Sequence, residues 1–154
     1  MPRTEGAQFP FWSADSRSIG FFASGKLYRI DIKGGPPQAL ADAPNPRGGT
    51  WNADGVIVFA PLPGGPLMRT AASGADPEAV TMLVPGQVGH RFPQLLPDGR
   101  RFLFNALGDA ESEGIYLGAL DGGDPKRLTT SDTVGRYLEP VSYTHLTLPT
   151  ILRV

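Results

Sequence analysis

One pattern written three times constrains this chain more than any other feature. Trp12-Ser13-Ala14-Asp15, Trp51-Asn52-Ala53-Asp54 and Leu95-Leu96-Pro97-Asp98 each begin a copy. An apolar run follows each of them: Ile19 to Phe22, Val56 to Phe59, and Phe102 to Phe104. Leu27-Tyr28-Arg29, Leu67-Met68-Arg69 and Ile115-Tyr116-Leu117 come next. Glycine turns at Lys33-Gly34-Gly35, Ser73-Gly74-Ala75 and Asp121-Gly122-Gly123 precede the closing runs Pro37 to Leu40, Pro77 to Val80 and Pro125 to Leu128. The step from Trp12 to Trp51 is 39 residues, and from Trp51 to Leu95 it is 44. The surplus in the third copy falls before its anchor and at Gly108 to Gly114. Stacked repeats tolerate insertions of that kind, confined to loops.

Within a copy the periodicity is that of strands. Tyr28, Ile30 and Ile32 alternate with Arg29 and Asp31, which is the period-two signature of a sheet. Asp54-Gly55 before Val56-Ile57-Val58-Phe59 is a hairpin signal ahead of a β-branched strand. The third copy reads as strands at Phe92 to Leu96, Phe102 to Ala106, Ile115 to Leu120 and Lys126 to Thr129. No ten-residue window keeps helical spacing free of Gly or Pro, so the chain reads as all-β. Twenty glycines and sixteen prolines punctuate the turns.

A single four-stranded sheet of forty residues has two apolar faces and cannot bury both. Sheets stacked face to face around an axis can, and they leave only short edges. The expected fold is therefore a partial β-propeller: three four-stranded antiparallel blades, near 9–45, 46–85 and 88–130, and the start of a fourth at Ser131 to Pro140. Phe11, Trp12, Trp51, Phe92, Phe102 and Phe104 are expected between blades, where a buried Phe or Trp contributes about 2–3 kcal/mol. Closed propellers have four to eight blades, so the chain is expected to be part of a longer protein.

The 154 residues carry a net charge of −1, which offers no electrostatic case for nucleic acid or an anionic membrane surface. The absence of cysteine removes thiol catalysis and disulfides. No apolar run approaches the roughly 18 residues of a membrane helix, so no membrane contact by this segment is expected.

The repeat, Trp-Ser-x-Asp, apolar strand, Leu/Ile-Tyr, Gly-Gly and closing Leu128-Thr129, resembles the WD40-like (PD40) repeat of TolB-type propellers. The anchors carrying it are Trp12, Asp15, Tyr28, Trp51, Asp54, Leu95, Asp98 and Tyr116. Gly48-Gly49-Thr50-Trp51-Asn52 and His90-Arg91-Phe92-Pro93 resemble the propeller C-terminal to a membrane span in some bacterial serine/threonine protein kinases. The resemblance implies a non-catalytic module outside the cytoplasm. Such a module would bind a protein or small-molecule ligand at a mouth formed by Gly86 to His90 or Gly108 to Gly114, and it needs no cofactor. The gating propeller of a prolyl-oligopeptidase-like enzyme and a free periplasmic TolB-like scaffold are the alternatives. Residues 141–154 fit no repeat position and resemble translated sequencing-adapter DNA; ordinary genomic sequence in frame past Pro140 would overturn that reading.

Each candidate for chemistry has a plainer explanation. Asp15, Asp54 and Asp98 are read as turn formers rather than cation ligands. Asp109-Ala110-Glu111-Ser112-Glu113 lacks the spacing and internal glycine of a calcium loop. His90 has no partner at motif spacing and is read as a loop or hydrogen-bonded structural residue. Ser13 and Ser24 lie outside any G-x-S-x-G elbow. Pro63-Gly64-Gly65-Pro66 has no Lys-Ser/Thr after it, and His90-Arg91-Phe92 is not the kinase His-Arg-Asp. The chain is therefore expected to carry no catalytic group, cofactor or metal site of its own.

Overall fold

A computed structural model describes residues 4–138 and contains twelve strands in three antiparallel sheets. The first sheet runs β1 (Gln8–Trp12), β2 (Ser18–Ala23), β3 (Lys26–Asp31) and β4 (Gln38–Asp42). The second runs β5 (Gly49–Trp51), β6 (Val56–Phe59), β7 (Met68–Ala71) and β8 (Glu78–Ala79). The third runs β9 (Gln87–Leu95), β10 (Arg101–Gly108), β11 (Gly114–Ala119) and β12 (Lys126–Thr129). Each sheet is a meander in sequence order, and the first strands β1, β5 and β9 adjoin one another, so they are innermost. No helix occurs among the described residues. This is a partial β-propeller of three blades.

The registers bring equivalent residues into equivalent rows. Trp12 pairs with Ile19, Trp51 with Ile57, and Phe102 with Leu95. Phe21 pairs with Tyr28, Phe59 with Met68, and Phe104 with Tyr116. In the second blade these residues join Phe22, Leu27, Leu40 and Ala43 of the first in one core. In the third blade they pack on Val58, Ala60 and Leu67 of the second. The leading face of each blade is thus buried by the blade before it.

That rule corrects the expectation for Trp12. It is 57% exposed, whereas its equivalent Trp51 is 9% exposed. The described residues place no blade before the first, so its leading face has no apolar cover. Phe21, Ala23 and Tyr28 make their own small cluster there, and Ile32 stays 53% exposed. Phe11 faces the second blade. Its ring lies where a Cβ would stand on Gly20, at 2.3 Å, or on Gly49, at 2.6 Å, so both positions exclude a side chain.

The strand β9 is longer than expected and takes in His90, so of the two roles expected for it, loop or hydrogen-bonded structural residue, the loop does not hold. The Gly65 amide donates to the Val88 carbonyl and the His90 amide to the Gly65 carbonyl, while Gln87 pairs with Gly108. Both sides of that stretch are therefore paired. On the far face of the third blade, Leu96, Leu103 and Ile115 pack with Leu117, Leu128 and Tyr137. Tyr137 is tied to Gln94 through two hydrogen bonds, of 2.9 and 3.0 Å. The segment read as a non-native tail lies outside the described residues.

Candidate functional site

The three innermost strands share a backbone irregularity. Phe9, Gly48 and Phe92 occupy equivalent positions and all have positive φ, at 48°, 95° and 52°. Glycine adopts this conformation freely, but a phenylalanine pays about 1–2 kcal/mol for it. The registers of β1 and β9 slip at the same point. At Gly48 a Cβ would also crowd the Phe92 backbone, at 3.2 Å. Across it, the Phe9 and Phe92 rings meet at 6.1 Å.

Between these strands and residues 134–136 opens a funnel of about 580 Å³ along the axis. Phe9, Phe11, Trp12 and Phe92 supply its apolar wall, with Thr50 and Gln94 among its polar lining. Two of those polar groups are already engaged: Thr50 Oγ1 accepts from the Leu95 amide, and Gln94 holds Tyr137. The connections near Arg47, Pro61 to Gly65 and Gly86 to Gln87 gather at one end of the axis. There the Arg47 amide donates to the Ala60 carbonyl, the Phe92 amide to the Arg47 carbonyl and the Asp109 amide to the Gly86 carbonyl. The two segments expected to form the mouth, Gly86 to His90 and Gly108 to Gly114, are thus paired side by side. Neither is among the residues that line the funnel.

His90 is 1% exposed and fully bonded. Gln87 Oε1 accepts from Nε2 at 2.9 Å, so Nδ1 is the acceptor and takes the Thr81 hydroxyl at 2.8 Å. Thr81 Oγ1 in turn accepts from the Leu67 amide, which ties the second blade to the third. The imidazole also lies 4.7 Å from the Phe104 ring. Burial pulls its pKa down to about 4, so it is neutral at pH 7 and has no free nitrogen to act as a base or ligand.

The three turn aspartates differ. Asp15 accepts from the Ser13 hydroxyl and the Arg17 amide, which lowers its pKa. Asp98 accepts from the Arg100 and Arg101 amides and the Arg101 side chain, and these bonds, led by the Arg101 amide, lower its pKa to about 2. In the second blade Asn52, not Asp54, does this work, taking the Asp54 and Val56 amides on Oδ1. Its Nδ2 crosses to the Gly99 carbonyl of the third blade. Ser13 accepts the Ser18 amide and is held by its turn. Ser24 sits in a left-handed turn with Gly25. Asp109 is bonded to Ser112, and Arg127 gathers the carbonyls of Ala110, Glu111 and Glu113, so the acidic loop is stapled to β12. No group of three potential metal ligands occurs among the described residues.

One repeated contact escaped the sequence reading. Arg29 reaches across to the Ala72 carbonyl at 2.9 Å and lies over the Trp51 ring, 5.6 Å from its centroid. Arg69, at the same repeat position, reaches the Leu120 carbonyl at 2.7 Å and pairs with Glu78. The signal was present in the matched Leu27-Tyr28-Arg29 and Leu67-Met68-Arg69. Leu117 stands there in the third blade and packs apolarly instead.

No family model matches the chain, and no curated protein does. Solved structures do. TolB from Acinetobacter baumannii superposes with a TM-score of 0.65 at 20% identity, over 80% of this chain and 32% of that one. A nidogen/laminin complex gives a TM-score of 0.66 at 14% identity, over 82% of this chain and 49% of the other. A prolyl endopeptidase gives 0.57 at 14% identity, over 82% of this chain and 22% of the other. These likenesses establish the propeller fold. The chain spans about a third of the TolB chain and half of the chain from the nidogen/laminin structure.

Proposed function

We propose that this chain is a non-catalytic propeller segment that contacts a protein partner at its axial funnel. The observation that carries the reading is the pair Phe9 and Phe92. Each is held in a conformation that favours glycine, and their rings converge on the funnel. Strain of this kind persists where a site needs a side chain in a fixed place. His90, Ser13, Asp15, Asp98 and Asp109 are engaged in turns or between blades. The solved neighbour in a nidogen/laminin complex is consistent with protein contact by such folds.

The parent protein is proposed to be a membrane-anchored bacterial serine/threonine kinase with this propeller outside the cytoplasm. Ligand binding at the axis would then bias kinase assembly. The kinase assignment rests on the resemblance of residues 48–52 and 90–93. Gating propellers of peptidases and TolB-like scaffolds share the fold and are separated by the complete gene: a G-x-S-x-G hydrolase domain downstream, or a signal peptide with no kinase domain.

The axial reading is tested by selecting peptides against the chain from an unbiased display library. Val134 lines the funnel and is exposed, so V134W fills the space without disturbing the core. Selected peptides should lose affinity at least tenfold for V134W. Peptides that bind V134W as well as the parent chain place the contact elsewhere.

A further inference from the structure

The chain is nearly neutral overall, at −1, yet three arginines lie in or next to the funnel's lining. Arg47 and Arg91 occupy the same repeat position, immediately before Gly48 and Phe92, which line the funnel. The Phe92 amide donates to the Arg47 carbonyl at 2.8 Å, so the two arginines sit at one level on neighbouring strands. Arg136 lines the funnel itself.

Among the described residues none of these arginines meets a carboxylate. Arg47 donates to Asn45 Oδ1 and the Pro46 carbonyl, and Arg91 donates through Nε to the Pro63 carbonyl. The ion pairs among the described residues are Lys26–Asp42, Arg69–Glu78 and Arg101–Asp98, all away from the funnel. Among the described residues no Asp or Glu lines it. The Arg91 pKa is lowered by burial first and by the neighbouring Arg47 charge second, so two like charges are held together next to Gly48 and Phe92 of the lining, just outside it. A guanidinium anchored through Nε still presents its terminal N–H groups, a geometry suited to a carboxylate. Beside them, Phe9 and Phe92 offer partly exposed ring surface.

Resting on the axial-contact reading above, we infer that the funnel takes an acidic, partly apolar peptide segment of a partner protein. Its carboxylates lie against Arg136 in the lining and reach Arg91 just beyond it, and an apolar side chain lies against Phe9 and Phe92. An apolar ligand would leave the arginines unanswered, and a basic one would be repelled.

The probe is a fluorescent hexapeptide alternating glutamate and phenylalanine, titrated into the 154-residue chain beside versions with glutamine or lysine for glutamate. The glutamate peptide should bind at least tenfold tighter than the glutamine one and weaken with salt, and the lysine peptide should not bind. R91Q and R136Q should each erase most of that preference, R136Q with unchanged thermal unfolding. Arg136 is exposed, so R136Q stays informative if R91Q loosens the Pro63 tether. Equal binding of glutamate and glutamine peptides that is still lost in V134W overturns the acidic preference and leaves the axial contact standing. Binding indifferent to V134W overturns both. Competition by free glutarate at equal molar concentration would instead assign the site to small dicarboxylates and overturn the peptide.

Discussion

At the scale of single residues, His90 shows how a lone candidate for chemistry becomes structural. Its ring nitrogens join Gln87 on its own strand to Thr81, and Thr81 holds Leu67 of the neighbouring blade. The folded chain keeps this imidazole neutral down to about pH 4, whereas the unfolded chain protonates it near 6.5. The contribution to stability is therefore complete above pH 6.5 and is lost as pH falls toward 4. It amounts to about 3 kcal/mol in full. Urea unfolding of the parent chain and of His90→Gln at pH 7.5 and 4.5 checks this. The variant should be less stable at pH 7.5 and should lose about 2 kcal/mol less on acidification. Equal losses in both would place the acid sensitivity elsewhere.

At the scale of elements, the blades are joined by apolar rows and by side chains that cross to a neighbour's backbone. Arg29 and Arg69 do this at one repeat position, and Asn52 and Thr50 do it at others. Removing such a donor leaves a partly buried carbonyl without its partner, at a cost of about 1–3 kcal/mol. Arg69→Ala should lower the unfolding midpoint accordingly. Glu78→Ala, which removes only the exposed ion pair of the same side chain, should cost under about 1 kcal/mol. Similar losses in the two variants, measured by denaturant titration, would mean that the reach to Leu120 contributes nothing.

At the scale of the whole molecule, the first blade's leading face distinguishes equivalent residues. Trp51→Ala removes a ring from a packed inter-blade core and should cost about 3–5 kcal/mol. Trp12→Ser changes an exposed ring and should shift stability by less than about 0.5 kcal/mol. Exposed apolar surface of this kind favours association. Trp12→Ser should therefore reduce concentration-dependent light scattering of the isolated chain. Scattering that stays unchanged would show that Trp12 is not part of the sticky face.

Much of this was open to reading in the residues themselves. The recurrence of Trp51, Ile57 and Phe59 against Leu95, Phe102 and Phe104 names blades, strands and their faces, because side-chain alternation and turn chemistry are local rules. Asp15 and Asp98 read as turn formers for the same reason. The matter decided only in three dimensions was which equivalent residue had a neighbour. Trp12 and Trp51 share a motif, and one is solvent-facing because burial depends on the adjoining sheet. For His90 the residues alone leave a loop or a hydrogen-bonded structural role open, and the pairing of its strand with Gly65 and Gly108 selects the second. The funnel, its strained phenylalanines and the arginines in and beside its lining belong to the same class: they arise where three separate strands converge, and no window of sequence contains that convergence.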